Sequence, residues 1–225
     1  SYYAFFLNLP ECCLLNVSPD LLVNASNNYL LTKPIKGTMA RKFDFLQDEV
    51  IKKALYDCPK NRAENMMIVD LLRNDLSKIS LTSSVKVERF LEIETMPSVF
   101  HLVSTISSTL SSEFTYFDVI NALFPGGSIT GAPKHRTMQL IETLEPSARG
   151  IYCGSIGHLS AGHNMCFNIA IRTLTAANGV LYCNAGGGIV LDSNCQLEYQ
   201  ETLDKVSLLT QTLQDITTNS SDINS

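Results

Sequence analysis

Lys33-Pro34-Ile35-Lys36-Gly37-Thr38 marks the point where this chain changes from one kind of secondary structure to another. Up to it, residues 1–38 alternate short apolar runs with turn signals at Leu9-Pro10, Ser18-Pro19 and Asn27-Asn28, the pattern of antiparallel strands. Beyond it, residues 46–78 take helical spacing. Val50, Ile51, Ala54 and Leu55 form one apolar stripe, and Met67, Leu71, Leu72 and Leu76 a second after the break at Pro59. Within the hexapeptide, Pro34 stiffens the approach and Gly37 lets backbone come close, so the Lys36 amine is held on a constrained turn. Such an amine reads as a placed nucleophile or base if a pocket surrounds it, and as a solvated charge if none does.

Working outward, residues 83–94 alternate again and predict a strand, while 100–110 and 116–123 have helical spacing. A Gly/Pro-rich stretch over 125–133 leads into a predicted helix at 134–144. Strand-like runs follow at 151–159 and 164–173, then a hairpin turn at Asn178-Gly179 and a strand through Cys183. A last helix spans about 196–213. Strand runs separated by unevenly placed helices define an α+β chain, with antiparallel sheets and helices packed outside them. The expected organisation is one domain over 1–215 and a disordered polar tail over 216–225.

Composition excludes several partner classes. The net charge is −5 and no Lys/Arg cluster occurs, so nothing supports nucleic acid or an anionic membrane as partner. No apolar run approaches the ~20 residues of a membrane span. Cys12, Cys13, Cys58, Cys153, Cys166, Cys183 and Cys195 are odd in number and lack zinc-site spacing, which points to reduced thiols in a cytoplasmic compartment.

Several positions could carry chemistry. Gly126 and Gly131 have the spacing of a phosphate loop, but Ala132 stands where its lysine is needed. Gly186, Gly187 and Gly188 can present bare N–H groups to an anion or form a tight passage between strands. Glu198 and Glu201, three apart, share a helix face, and Glu64 lies on another helix. Together they suit magnesium, while singly each reads as a surface charge. Arg172, inside an apolar run, is either paired in the core or bidentate to a ligand carboxylate. His101 alone reads as a core histidine.

In order along the chain, six stretches stand out. They are Pro34-Ile35-Lys36-Gly37-Thr38, Ala63-Glu64-Asn65-Met66-Met67-Ile68-Val69-Asp70-Leu71-Leu72-Arg73-Asn74-Asp75-Leu76 and Pro125-Gly126-Gly127-Ser128-Ile129-Thr130-Gly131-Ala132-Pro133-Lys134. Then come Tyr152-Cys153-Gly154-Ser155-Ile156-Gly157, Asn168-Ile169-Ala170-Ile171-Arg172-Thr173, and Ala185-Gly186-Gly187-Gly188-Ile189-Val190 with Glu198-Tyr199-Gln200-Glu201-Thr202. Together they resemble the chorismate-utilising enzymes over almost the whole chain. The resemblance implies an anthranilate-synthase-component-I-like fold, with further family strands expected ahead of Ser1.

It also implies roles. Lys36 resembles the branch that aminates chorismate at ring carbon 4 toward 4-aminobenzoate and folate, whereas anthranilate-forming members carry alanine there. Lys36 would add to ring carbon 2 and displace the 4-hydroxyl. Ammonia from a glutamine amidotransferase, fused or separate, would then add at carbon 4 and expel the lysine. Mg2+ would be held by Glu64, Glu198 and Glu201. Tyr152 and Arg172 would bind the enolpyruvyl carboxylate, and Ser128 with Gly186, Gly187 and Gly188 the ring carboxylate. His101 would lie beside the departing hydroxyl and Lys134 near the metal carboxylates. Asp20 stands where the family has a proton-transferring glutamate, one methylene longer. Cys166 and Lys33 replace a usual aspartate and arginine. The alternatives are another chorismate enzyme, forming anthranilate or isochorismate, or a binding module without turnover.

Overall fold

The hexapeptide around Lys36 is one stretch of a long bent strand pairing. A computed structural model of the chain describes residues 3–191 and 193–222, with side chains up to residue 216. The chain divides into two compact units, one of Pro19–Ile169 and one of Ser1–Ser18 with Ala170–Ser225.

The Pro19–Ile169 unit is built on a seven-stranded antiparallel sheet. Its strands are β3 (Leu21–Ser26), β4 (Tyr29–Lys33), β5 (Ile35–Ala40), β6 (Lys86–Thr95), β7 (Val99–Thr109), β8 (Gly157–Ser160) and β9 (Asn164–Asn168). β4 and β5 follow one another along β7, Tyr29 opposite Thr109 and Ile35 opposite Val103, with Pro34 between them. The register then slips by one residue between Ile35 and Thr38, so Lys36 and Gly37 form a β-bulge. β6 lines β7 as well and slips twice, between Val87 and Arg89 and between Arg89 and Glu92.

Helix α1 (Phe45–Asp57) is capped by Asp44, whose carboxylate accepts from the Gln47 N–H at 2.9 Å. Helix α2 (Pro59–Ser77) begins on a proline, whose fixed φ suits a first helical residue. Both helices pack on the sheet. Leu55 joins Leu91, Phe100 and Leu102 in a core cluster, and α2 buries Ile68, Val69, Leu72 and Leu76. Each such side chain contributes roughly 1.5–3 kcal/mol by leaving water. The predicted stripes are thus right in period and off in phase, with Val50 and Met67 exposed. Three further helices complete the unit: α3 (Tyr116–Leu123), α4 (Gly127–Thr130) and α5 (Lys134–Leu144). A Thr115–Asp118 capping box opens α3.

The second unit holds a four-stranded antiparallel sheet in the order β1-β2-β10-β11, from β1 (Tyr3–Asn8), β2 (Cys13–Ser18), β10 (Thr173–Ala177) and β11 (Val180–Cys183). Asn178 and Gly179, both at positive φ, turn β10 into β11 as the Asn-Gly pair predicts. Helix α6 (Cys195–Asp222) closes the unit.

Three expectations need correction. The 100–110 segment is strand β7, not a helix. It is paired along both edges and buried on both faces, so its apolar residues lose two-residue alternation and mimic helical spacing. Residues 151–159 are not one strand, because turns occupy 151–153 and β8 starts only at Gly157. The 164–173 run is broken after Asn168, and Arg172 sits in the break at φ 50° rather than in a strand.

Candidate active site

The bulge at Lys36 and Gly37 places the amine. Gly37 has φ +97°, and a Cβ there would lie 2.7 Å from Asn61 Nδ2 and 2.9 Å from Leu55 Cδ1. Both backbone strain and space therefore demand glycine. Gly37→Ala is expected to cost about 2–4 kcal/mol, the sum of left-handed strain and overpacking. A urea midpoint equal to that of the unsubstituted chain would refute it.

From this bulge Lys36 Nζ donates to the Ser128 carbonyl at 3.1 Å and stands 3.7 Å from Glu64 Oε2. The two side chains are only 19% and 18% exposed, so this is not a solvated surface lysine. Three sequence-selected residues thus meet within one unit: Lys36 on β5, Glu64 on α2 and Ser128 on α4. His101 on β7 lies across from Thr38 and is buried, its Nδ1 2.8 Å from Thr38 Oγ1. Asp20 and Ser128 line one cleft with Thr32, Pro34, Ile68 and Gly126. The Asp20 carbonyl also accepts from the Ile169 N–H at 3.0 Å.

Lys134, expected near the metal carboxylates, pairs with Asp75 Oδ2 at 2.6 Å and donates to the Leu123 carbonyl at 3.1 Å. Tyr152 lies in the turn before Gly154. Burial, aided by the neighbouring Cys153, raises its phenol far above the usual range, so it remains a protonated donor. Burial likewise pushes up the Cys153 thiol.

The other unit carries a second group of selected residues. Glu198, in the first turn of α6, is buried and accepts from Ser193 Oγ at 2.6 Å. A Cβ on Gly187 would come 3.1 Å from its Oε2, so the glycine run lies directly over this carboxylate. Lys205 ties the group together, reaching Glu201 at 2.6 Å and the Gly186 carbonyl at 3.2 Å. Sequence reasoning missed Lys205, though its place four residues after Glu201 on a helix was a legible signal. Arg172 is positioned by its backbone: its carbonyl accepts from Val17 N–H at 3.2 Å, and Asn16 Nδ2 bonds Ile171 O and Thr173 Oγ1 on either side. Within neither unit do three or more described His, Cys, Asp or Glu side chains converge as a metal cage.

One unit thus holds a half-buried lysine facing a carboxylate and a carbonyl, and the other a glycine over a buried glutamate. The profile of the family described as chorismate binding enzyme matches residues 1–211. The chain belongs to that family. It is 47% identical over 212 residues to aminodeoxychorismate synthase component 1 of Escherichia coli K12, covering 94% of this chain and 47% of that protein. To anthranilate synthase component 1 of Aquifex aeolicus it is 39% identical, covering 95% of this chain and 43% of that one. Among solved structures it resembles anthranilate synthase component I from Streptococcus pneumoniae TIGR4, with a TM-score of 0.82 at 40% identity, over 90% of this chain and 45% of that one. The chain thus spans about half the length of the curated relatives it matches. Among the described residues no helix is long and apolar enough to cross a membrane.

Proposed function

We infer that this chain carries the aminating centre of an aminodeoxychorismate synthase component I, with Lys36 as its covalent nucleophile. The observation that carries the reading is the placement of the Lys36 amine, withdrawn from solvent between Glu64 and the Ser128 carbonyl. Two hydrogen-bonding or ionic partners fix a flexible four-carbon side chain in one direction, which is what a nucleophile requires.

Once its proton is lost, Lys36 Nζ forms a bond to ring carbon 2 of chorismate. The ring electrons shift and the 4-hydroxyl leaves, taking a proton to depart as water. Ammonia, supplied by a glutamine amidotransferase, then bonds to carbon 4, and the carbon 2–lysine bond breaks to return the free amine. Asp20 delivers the proton that the leaving hydroxyl takes up, and His101 lies beside that hydroxyl. Tyr152 and Arg172 hold the enolpyruvyl carboxylate. Ser128 and the N–H groups of Gly186, Gly187 and Gly188 hold the ring carboxylate, and Lys134 supports the stretch that carries Ser128.

Magnesium is the cofactor this reading requires, and carboxylate oxygens, with neither thiolate nor imidazole among them, are the ligands that ion takes. Glu64, Glu198 and Glu201 are the residues that would hold it, and its charge would anchor the ring carboxylate.

The test is product identity with full-length protein, chorismate, magnesium and an ammonium salt. The expected product is 4-amino-4-deoxychorismate. Anthranilate or isochorismate as the product would overturn the reading. With ammonia withheld, a substrate adduct is expected on the tryptic peptide that contains Lys36.

A further inference from the structure

Ser104, a residue with no motif around it, stands at the crossing of three elements that carry the Lys36 centre. It is fully buried on β7. Its backbone N–H donates to the Pro34 carbonyl at 3.2 Å, two residues before Lys36. Its hydroxyl donates to Asn65 Oδ1 at 2.6 Å, and Asn65 is the neighbour of Glu64 on α2. The same oxygen accepts the Leu91 N–H at 3.1 Å.

Two of these partners adjoin or occupy irregularities of the sheet. On one side of β7 the bulge of β5 carries Lys36 and Gly37. On the other, the slip between Arg89 and Glu92 contains Leu91, held at φ 53°, a conformation a branched side chain rarely takes. Asn65 is fully buried, and among the described residues its amide nitrogen meets only the Leu102 carbonyl, at a long 3.5 Å. Its strong contact is therefore Ser104.

We propose that Ser104 is a positioning residue, which sets the spacing of Lys36 and Glu64 by fastening the strand of one and the helix of the other to a single buried hydroxyl-bearing residue. The proposal rests on the reading of Lys36 as the nucleophile. An ordinary core serine would contribute to stability alone. A positioning serine also governs how often the amine meets ring carbon 2, because displacement of about 1 Å at a reacting atom costs about a hundredfold in rate.

The experiment compares Ser104→Ala and Ser104→Thr in full-length protein, reading melting temperature, kcat, KM for chorismate and the ammonia-free rate of Lys36 adduct formation. Ser104→Ala is expected to lower kcat and the adduct rate together by about ten- to a hundredfold, with KM changed less than about threefold. Ser104→Thr keeps the hydroxyl and is expected to restore most of both. A folded Ser104→Ala with unchanged adduct rate overturns the proposal, as does a threonine variant as slow as the alanine one. If Ser104→Ala does not fold, Asn65→Ala reads the same quantity while leaving the Ser104–Leu91 bond in place, and an undiminished adduct rate there overturns it. If the unsubstituted protein itself forms no adduct on Lys36, the nucleophile reading fails, which is a different outcome from loss of the Ser104 effect alone.

Discussion

Lys36→Ala is expected to lower the rate of chorismate amination by at least about a thousandfold, the scale seen when a covalent nucleophile is deleted. The fold should survive the change. The Lys36–Glu64 contact, at 3.7 Å, is beyond hydrogen-bond reach, so losing it costs only about 1 kcal/mol. Lys36→Arg separates nucleophilicity from charge. A guanidinium preserves the positive partner for Glu64 but stays protonated and cannot attack carbon 2. Both variants should therefore be equally inactive while melting near the parent temperature. If the arginine variant kept most of the activity, Lys36 would be an electrostatic group rather than the attacking one.

Asp75→Ala is expected to lower stability by about 2–4 kcal/mol, as much as Gly37→Ala. Asp75 is 4% exposed and holds Lys134 at 2.6 Å and Lys78 at 2.9 Å. Lys78 reaches solvent and can be rehydrated, but Lys134 is only 17% exposed and keeps just the Leu123 carbonyl. Removing the acid leaves a cation stranded against apolar surroundings, which costs more than the pair itself ever contributed. Adding Lys134→Met removes the stranded charge and should recover at least half of the loss. A urea midpoint for Asp75→Ala within error of the parent would mean that water reaches Lys134 freely.

Much of the fold was legible in the sequence because its strands up to Ala40 and its helices carry their own periodicity and turn residues. Asn178-Gly179 and Pro59 each act locally, so reading them needed no knowledge of neighbours. β7 was not legible. Its burial on both faces comes from partners far along the chain, and Phe100, Val103 and Ile106 fall at helical intervals by accident of that burial. The site divides the same way. Lys36, Glu64 and Ser128 were singled out from motifs, and the structure brings them together around one amine. Ser104 and Asn65 were invisible because a serine in an apolar strand and an asparagine in a helix carry no local mark. Only the fold brings them within 2.6 Å of each other. Lys134 was selected, but its partner Asp75 was not, since ion pairing across separate helices has no spacing rule.

The pairing of β2 with β10 sets an order of events for a chain emerging from the ribosome. Asn16 meets Thr173 across that ladder, so the β1–β2 hairpin must wait for this partner while roughly 150 residues are made. At ~5–20 residues per second that is on the order of ten to thirty seconds. Through this interval one long edge of the nascent hairpin, with Leu14 and Leu15 beside it, has no mate. Vectorial synthesis thus delays the pairing of that β2 edge, and the intervening Pro19–Ile169 segment is free to fold first.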